Sequence, residues 1–169
     1  IMILFLLKYM ILVILKKLTE VKMDWEYWKK MKLIIVESPK KAKTISAYLK
    51  DKGYSVIASK GHVIDLPKKS LGIDVDNMFI PFFEVIKNRE KDLEAIKEKA
   101  KVSTTVFLAT DPDREGEAIG YHIEREIKKD SPDKDIKRLI LHEITRDEVL
   151  KALENPTQIN IDRVESQIT

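Results

Sequence analysis

The chain has no cysteine among its 169 residues. Disulfides and thiolate metal sites are therefore excluded, and any metal must be held by oxygen or imidazole. The same absence fits a reducing cytosol. An unbroken apolar run long enough for a membrane is also missing. Residues 1–15 are apolar except for Lys8, and Lys16 and Lys17 close the run, whereas a spanning helix needs about 20 apolar residues. A secretory signal would put positive charge before such a run and a small-residue cleavage site after it, and this chain does neither. Residues 1–30 are accordingly read as an extension outside the fold, with a short membrane-associating helix as the alternative. Charge of one sign is not in excess: 31 Lys and Arg face 28 Asp and Glu, a net +3, too little by itself to argue for nucleic acid. Zinc is not indicated either, because His62 and His142 have no partner His or Cys at ligand spacing.

What is present begins at Met31. "KLIIV" (32–36) is a short apolar, β-rich run, and Ser38-Pro39 opens a helix with a serine N-cap and proline in the first turn. Ala42, Ile45 and Leu49 share one face of that helix, which Gly53 closes. "YSVIAS" (54–59) is a second strand. Residues 60–88 carry Gly61, Pro67, Gly72 and Pro81 and read as a long irregular connection. Leu93, Ile96 and Ala100 predict a helix over roughly 88–101, "TTVFLAT" (104–110) a third strand, and Ile119, Ile123 and Ile127 another helix. "KRLIL" (137–141) is a fourth strand. Thr145 to Glu148 form a capping box for a helix that Asn155-Pro156 stops. Strands alternating with helices predict an α/β fold: a roughly four-stranded, mainly parallel sheet flanked by helices.

Right-handed crossovers place all strand C-terminal ends on one rim, where open α/β sheets put their sites. After the first strand come Glu37, Ser38, Lys40 and Lys41; after the third come Asp111, Asp113, Arg114, Glu115 and Glu117. Carboxylates gathered there raise one another's pKa unless a cation neutralises them. Oxygen donors select a hard divalent ion, Mg²⁺ before Mn²⁺, which uses one or two protein carboxylates plus waters and substrate phosphate oxygens. With Lys41 and Arg114 alongside, the rim suits phosphoryl transfer. Gly116 is expected to let the chain turn tightly into the next helix. An acidic helix start would account for Glu115 and Glu117 without any metal. His62, after the second strand, is placed to reach the same rim.

"IIVESPKKAKTISAYL", "ASKGHVIDLP", "FLATDPDREGEAIGYHI" and "HEITRDEVLKALENP" together resemble the type IA DNA topoisomerases, specifically the bacterial topoisomerase I branch and its reverse gyrase relatives. The resemblance runs from Met31 to about Gln167. It implies a Toprim-type fold over 31–144, with 145–169 starting the next, helical, topoisomerase domain. By the same resemblance Glu37, Asp111, Asp113 and Glu115 form the Mg²⁺ site, Glu37 also helps proton transfer, and Lys41 and Arg114 act on the scissile phosphate. Lys41, Lys43, His62, Asp65 and Arg114 line the DNA path. The implied reaction cuts and reseals single-stranded DNA through a 5′-phosphotyrosine link, in a cytoplasmic monomer without a small-molecule cofactor. None of Tyr9, Tyr27, Tyr48, Tyr54 and Tyr121 matches the family's nucleophile motif. The chain is therefore expected to be a fragment, inactive alone and completed by C-terminal domains. The competing readings are a free-standing Toprim nuclease and a receiver- or flavodoxin-like module. If residues 1–30 lie outside the fold, their deletion shifts unfolding free energy by less than about 1 kcal/mol in denaturant titration.

Overall fold

A computed structural model describes residues 31–67, 72–74 and 80–168 of the chain; the N-terminal extension lies outside them. Strand β1 (Lys32–Val36) is followed by helix α1 (Pro39–Tyr48) and strand β2 (Tyr54–Ala58). After the 60–88 connection come α2 (Glu90–Val102), a strand at Thr105–Leu108, α3 (Arg114–Asp130) and a strand at Asp135–Arg138. Helices α4 (Arg146–Glu154) and α5 (Ile161–Ile168) complete the chain.

The connection carries more order than its glycines and prolines suggest. It holds β3 (Ile64–Asp65) paired antiparallel with β6 (Glu84–Val85), and β4 (Ile73–Asp74) paired with β5 (Ile80–Pro81). These strands are two residues long, too short to show a period in sequence. The strands that follow are therefore β7 (Thr105–Leu108) and β8 (Asp135–Arg138).

The main sheet has the order β2-β1-β7-β8 and is parallel throughout. Its residues alternate between two apolar layers, as the twofold strand period requires. Leu33, Ile35, Val106 and Leu108 meet Leu93 and Ile96 of α2 and Ile119, Ile123 and Ile127 of α3. Ile34, Val36 and Phe107 meet Ile45 and Leu49 of α1 and Val149 of α4. The two central strands are apolar on both faces because both faces are covered.

β8 begins two residues before the apolar run that predicted it. Leu139 still donates to the Leu108 carbonyl at 2.8 Å, but the chain then leaves the ladder. Leu139 and Leu141 are buried against the α1–α4 layer without pairing, so apolarity there marks burial and not strand.

From β1 the chain winds outward to β2, then crosses back to β7 on the other side of β1. The loops after β1 and β7 consequently diverge, and a crevice opens between them at the switch point.

His122, on α3, is 5% exposed and lies between Phe83, with ring centroids 4.4 Å apart, and Tyr121. Burial, then the charges of Arg125 and His62, lower its pKa from 6.5 to about 4, with Asp65 and Glu126 opposing weakly. Above pH 6.5 it is neutral in both folded and unfolded chains and contributes no pH dependence. As pH falls from 6.5 towards 4 the unfolded chain takes up the proton first, so folded-state stability is lost across that window, by on the order of 2 kcal/mol. Denaturant titrations at pH 7 and pH 4.5 are expected to show this loss, with a smaller one in His122→Phe.

Candidate active site

Three loops build the crevice. After β1, Ser38 caps α1 by accepting from the Lys41 backbone N–H at 3.2 Å, so α1 starts at the rim with Lys41 in its first turn. After β7, Asp113 caps α3 by accepting from the Gly116 N–H at 2.7 Å. After β2, Lys60 (φ +61°) and Gly61 (φ +91°) turn the chain through the left-handed region and bring His62 to the rim. Two helix N-termini therefore point towards the crevice, which favours anions there.

Glu37 and Asp111 meet across the switch point. Glu37 Oε1 accepts from the Asp111 backbone N–H, and Lys41 Nζ donates to Asp111 Oδ1. Burial raises the Glu37 pKa, helped by the Asp111 carboxylate, while the Asp111 backbone N–H and Lys41 offset this only in part. Burial acts the same way on Asp111 but is outweighed by the hydrogen bonds from Lys41 and Glu37 and the charges of Lys41 and Arg138, so its pKa is lowered. The environment therefore drives the two carboxyl pKa values apart, that of Glu37 upward and that of Asp111 downward.

The remaining acidic residues go elsewhere. Glu115 Oε1 lies 3.0 Å from His62 Nε2, and Asp113 is committed to its cap. The residue that caps α3 is thus Asp113, while Glu115 faces His62 and Glu117 turns inward. Arg114 and Lys43 are exposed, on α3 and α1. Asp65 is exposed on β3 and accepts from the Leu66 N–H at 2.8 Å. His142 is exposed. Gly116 is needed for space: it lies inside α3, and a Cβ there would collide with the Asp111 backbone.

Sequence reasoning missed Arg138 altogether. Its side chain is 0% exposed and faces Glu117 (side chain 2% exposed), with Nε to Glu117 Oε2 at 3.0 Å. Nη1 donates to the carbonyls of Leu108, Thr110 and Leu139 at 3.0, 2.9 and 2.7 Å, and Nη2 to that of Asp111 at 2.8 Å. The guanidinium thereby holds the backbone that carries Asp111. The available signal was an arginine next to Lys137 at the start of an apolar run, which is indistinguishable from a surface residue. His122 gave no signal either.

Whether Mg²⁺ suits the site depends on the donors. Among the described residues no three carboxylate or imidazole side chains gather into one metal-binding group. Glu37 and Asp111 do converge, with the Lys41 ammonium bonded to Asp111, and two carboxylates leave coordination positions for phosphate and water, as Mg²⁺ prefers. The donor pair fits the ion.

An open parallel sheet with acidic and basic loops at its switch point defines the class. Residues 32–144 match the Toprim domain family, and the chain belongs to it. It is 49% identical over 141 residues to DNA topoisomerase 1 of Campylobacter jejuni, covering 83% of this chain and 20% of that protein. DNA topoisomerase 1 of Streptomyces coelicolor is 41% identical over 151 residues, 82% of this chain and 15% of that one. Full-length topoisomerase I from Thermotoga maritima superimposes with a TM-score of 0.72 at 43% identity, over 80% of this chain and 22% of that one. The chain spans about a fifth, or less, of the length of these relatives.

Breaking a buried ion pair strands a charge and costs about 3–5 kcal/mol, whereas replacing both partners by apolar groups can be neutral. Arg138→Met and Glu117→Met are expected to lose stability singly in that range. The double variant is expected to be more stable than Arg138→Met alone, as a double-mutant cycle in denaturant will measure.

Proposed function

We propose that this Toprim domain is the Mg²⁺-binding part of a type IA DNA topoisomerase that cuts and reseals single-stranded DNA through a 5′-phosphotyrosine link. The observation that carries the reading is the meeting of Glu37, Asp111 and Lys41 at the switch point of the sheet. Similarity to proteins named DNA topoisomerase 1 supplies the substrate class. Residues 145–169 begin the helical part that follows the domain.

Glu37 and Asp111 are the residues that would hold Mg²⁺; Asp113 and Glu115, on the same loop and helix start, are the further acidic residues of the proposed site. The ion, when bound, supplies positive charge against the phosphate under attack. The rest falls to side chains. Glu37, beside the phosphate, also helps move a proton to the departing 3′ oxygen of the DNA. Lys41 and Arg114 steady the phosphate, and the N-termini of α1 and α3 add to the field that favours it. His62, Lys43 and Asp65 line the path of the strand. The nucleophile comes from another part of the enzyme. Tyr48 donates to the Ile144 carbonyl at 3.2 Å, Tyr54 packs on Phe107, and Tyr121 stacks beside His122, so the described tyrosines are engaged in packing.

The test is Mg²⁺ binding by the domain carrying Asp111→Asn and Asp113→Asn. Asparagine caps helices as well as aspartate does, so the fold is expected to persist while Mg²⁺ affinity drops at least tenfold in isothermal titration calorimetry. Unchanged affinity would remove the metal site from the reading.

A further inference from the structure

We propose that the Lys41 ammonium is a built-in counter-ion for the Glu37–Asp111 pair, which a divalent cation must displace, so that metal loading is the event that frees Lys41 for a DNA phosphate. The inference rests on the reading that Mg²⁺ binds at Glu37 and Asp111.

Four observations lead to it. Lys41 Nζ is bonded to Asp111 Oδ1, and among the described residues it is the one cation paired with that carboxylate; none pairs with Glu37. The Asp111 backbone N–H is bonded to Glu37 Oε1, so the ammonium on Asp111 also acts on Glu37, whose pKa its charge lowers. The backbone of Lys41 is anchored through its N–H to Ser38 Oγ at 3.2 Å, which leaves only the flexible stem to swing. That stem has four rotatable carbons, and its side chain is 21% exposed, so a way out towards solvent and phosphate is open. Lys40, its neighbour on α1, is exposed.

The electrostatics make the two occupancies exclusive. An ammonium at hydrogen-bond distance from a carboxylate oxygen and a divalent ion on the same carboxylate repel strongly at the separation this would impose. Without metal, the lysine prevents the repulsion that two neighbouring carboxylates would otherwise exert on the loops after β1 and β7. With metal, the same charge becomes surplus at Asp111 and available to a phosphate. Binding of metal and of phosphate then help each other, and by linkage the help is mutual. Lysine suits such a switch better than arginine, since a compact charge on a flexible stem can move without breaking a planar, forked pairing.

The test compares Mg²⁺ binding by the full chain, Lys41→Met, Lys41→Arg and, as a control for general charge removal, Lys40→Met, in isothermal titration calorimetry. Displacement predicts that Lys41→Met binds Mg²⁺ at least tenfold more tightly than the unsubstituted chain, while Lys40→Met changes affinity less than twofold. Lys41→Arg keeps the charge and is expected to stay near the unsubstituted value. It also serves if Lys41→Met fails to fold without metal: ¹⁵N spectra of the lysine side chains in the unsubstituted chain must then show the Lys41 resonance leaving its hydrogen-bonded position as Mg²⁺ is added. Equal affinities for Lys41→Met and the unsubstituted chain, equal tightening by both methionine variants, or a Lys41 resonance unmoved by saturating Mg²⁺ overturn the proposal. Absence of Mg²⁺ binding in every variant overturns it together with the metal site itself, an outcome distinct from binding that is indifferent to Lys41.

Discussion

The acidic loop of this Toprim domain depends on one buried guanidinium. Arg138 spends its donors on Glu117 and on four carbonyls, those of Leu108, Thr110, Asp111 and Leu139. The carbonyls of Thr110, Asp111 and Leu139, beyond the point where the ladder stops, need other donors once the chain is buried, whereas that of Leu108 also accepts from the Leu139 N–H. A planar group with five N–H donors satisfies them together. Charge is the difficulty, because an isolated buried cation is costly, and Glu117 removes it. The pair is thus a polar core inside an apolar one, and it sets the height and direction at which Asp111 emerges beside Glu37.

That arrangement explains how four carboxylates on alternate positions coexist. Asp111 is neutralised by Lys41, Asp113 by the open N–H groups of α3, Glu115 faces His62, and Glu117 is paired with Arg138. Each takes its own partner, a lysine, a helix N-terminus, an imidazole and a buried arginine, so the four carboxylates are not left facing one another. Of the four, Asp111 is the one whose backbone N–H binds an acidic side chain from the end of another strand, Glu37, and there burial raises the Glu37 pKa while hydrogen bonds and the charges of Lys41 and Arg138 lower that of Asp111.

The same buried pair ties the site to the C-terminal segment. Thr157 exchanges backbone hydrogen bonds with Arg138 at 2.8 and 2.9 Å, Glu117 Oε1 accepts from the Asn160 N–H at 2.7 Å, and Arg163 donates to the Pro112 carbonyl at 3.1 Å. Residues 157–163 are therefore latched to both sides of the acidic loop. A displacement of α5 would be felt at Asp111 through three separate hydrogen-bonded links.

By itself the sequence determined the layered α/β fold, because the strand runs at 32–36 and 104–110 and the helical stripes of Ile, Leu and Ala carry their periods locally. It also placed Glu37, Lys41 and Asp111 on one rim, since right-handed crossovers leave no other edge for residues that follow parallel strands. Glycine and proline at 60–88 concealed two short ribbons, whose pairs are too brief to leave a pattern. The apolar run at 137–141 marked burial, and the strand pairing shifted to 135–138 because register is set by the neighbouring β7. What only the tertiary structure decided is which carboxylate meets which cation. Spacing along the chain made Asp111, Asp113, Glu115 and Glu117 equivalent; Asp113 becomes a local cap on Gly116, three residues on, while the other three separate into a site residue, a histidine partner and a buried ion pair through groups 21 to 74 residues away. Such partners are brought together by packing, and no local pattern can encode them.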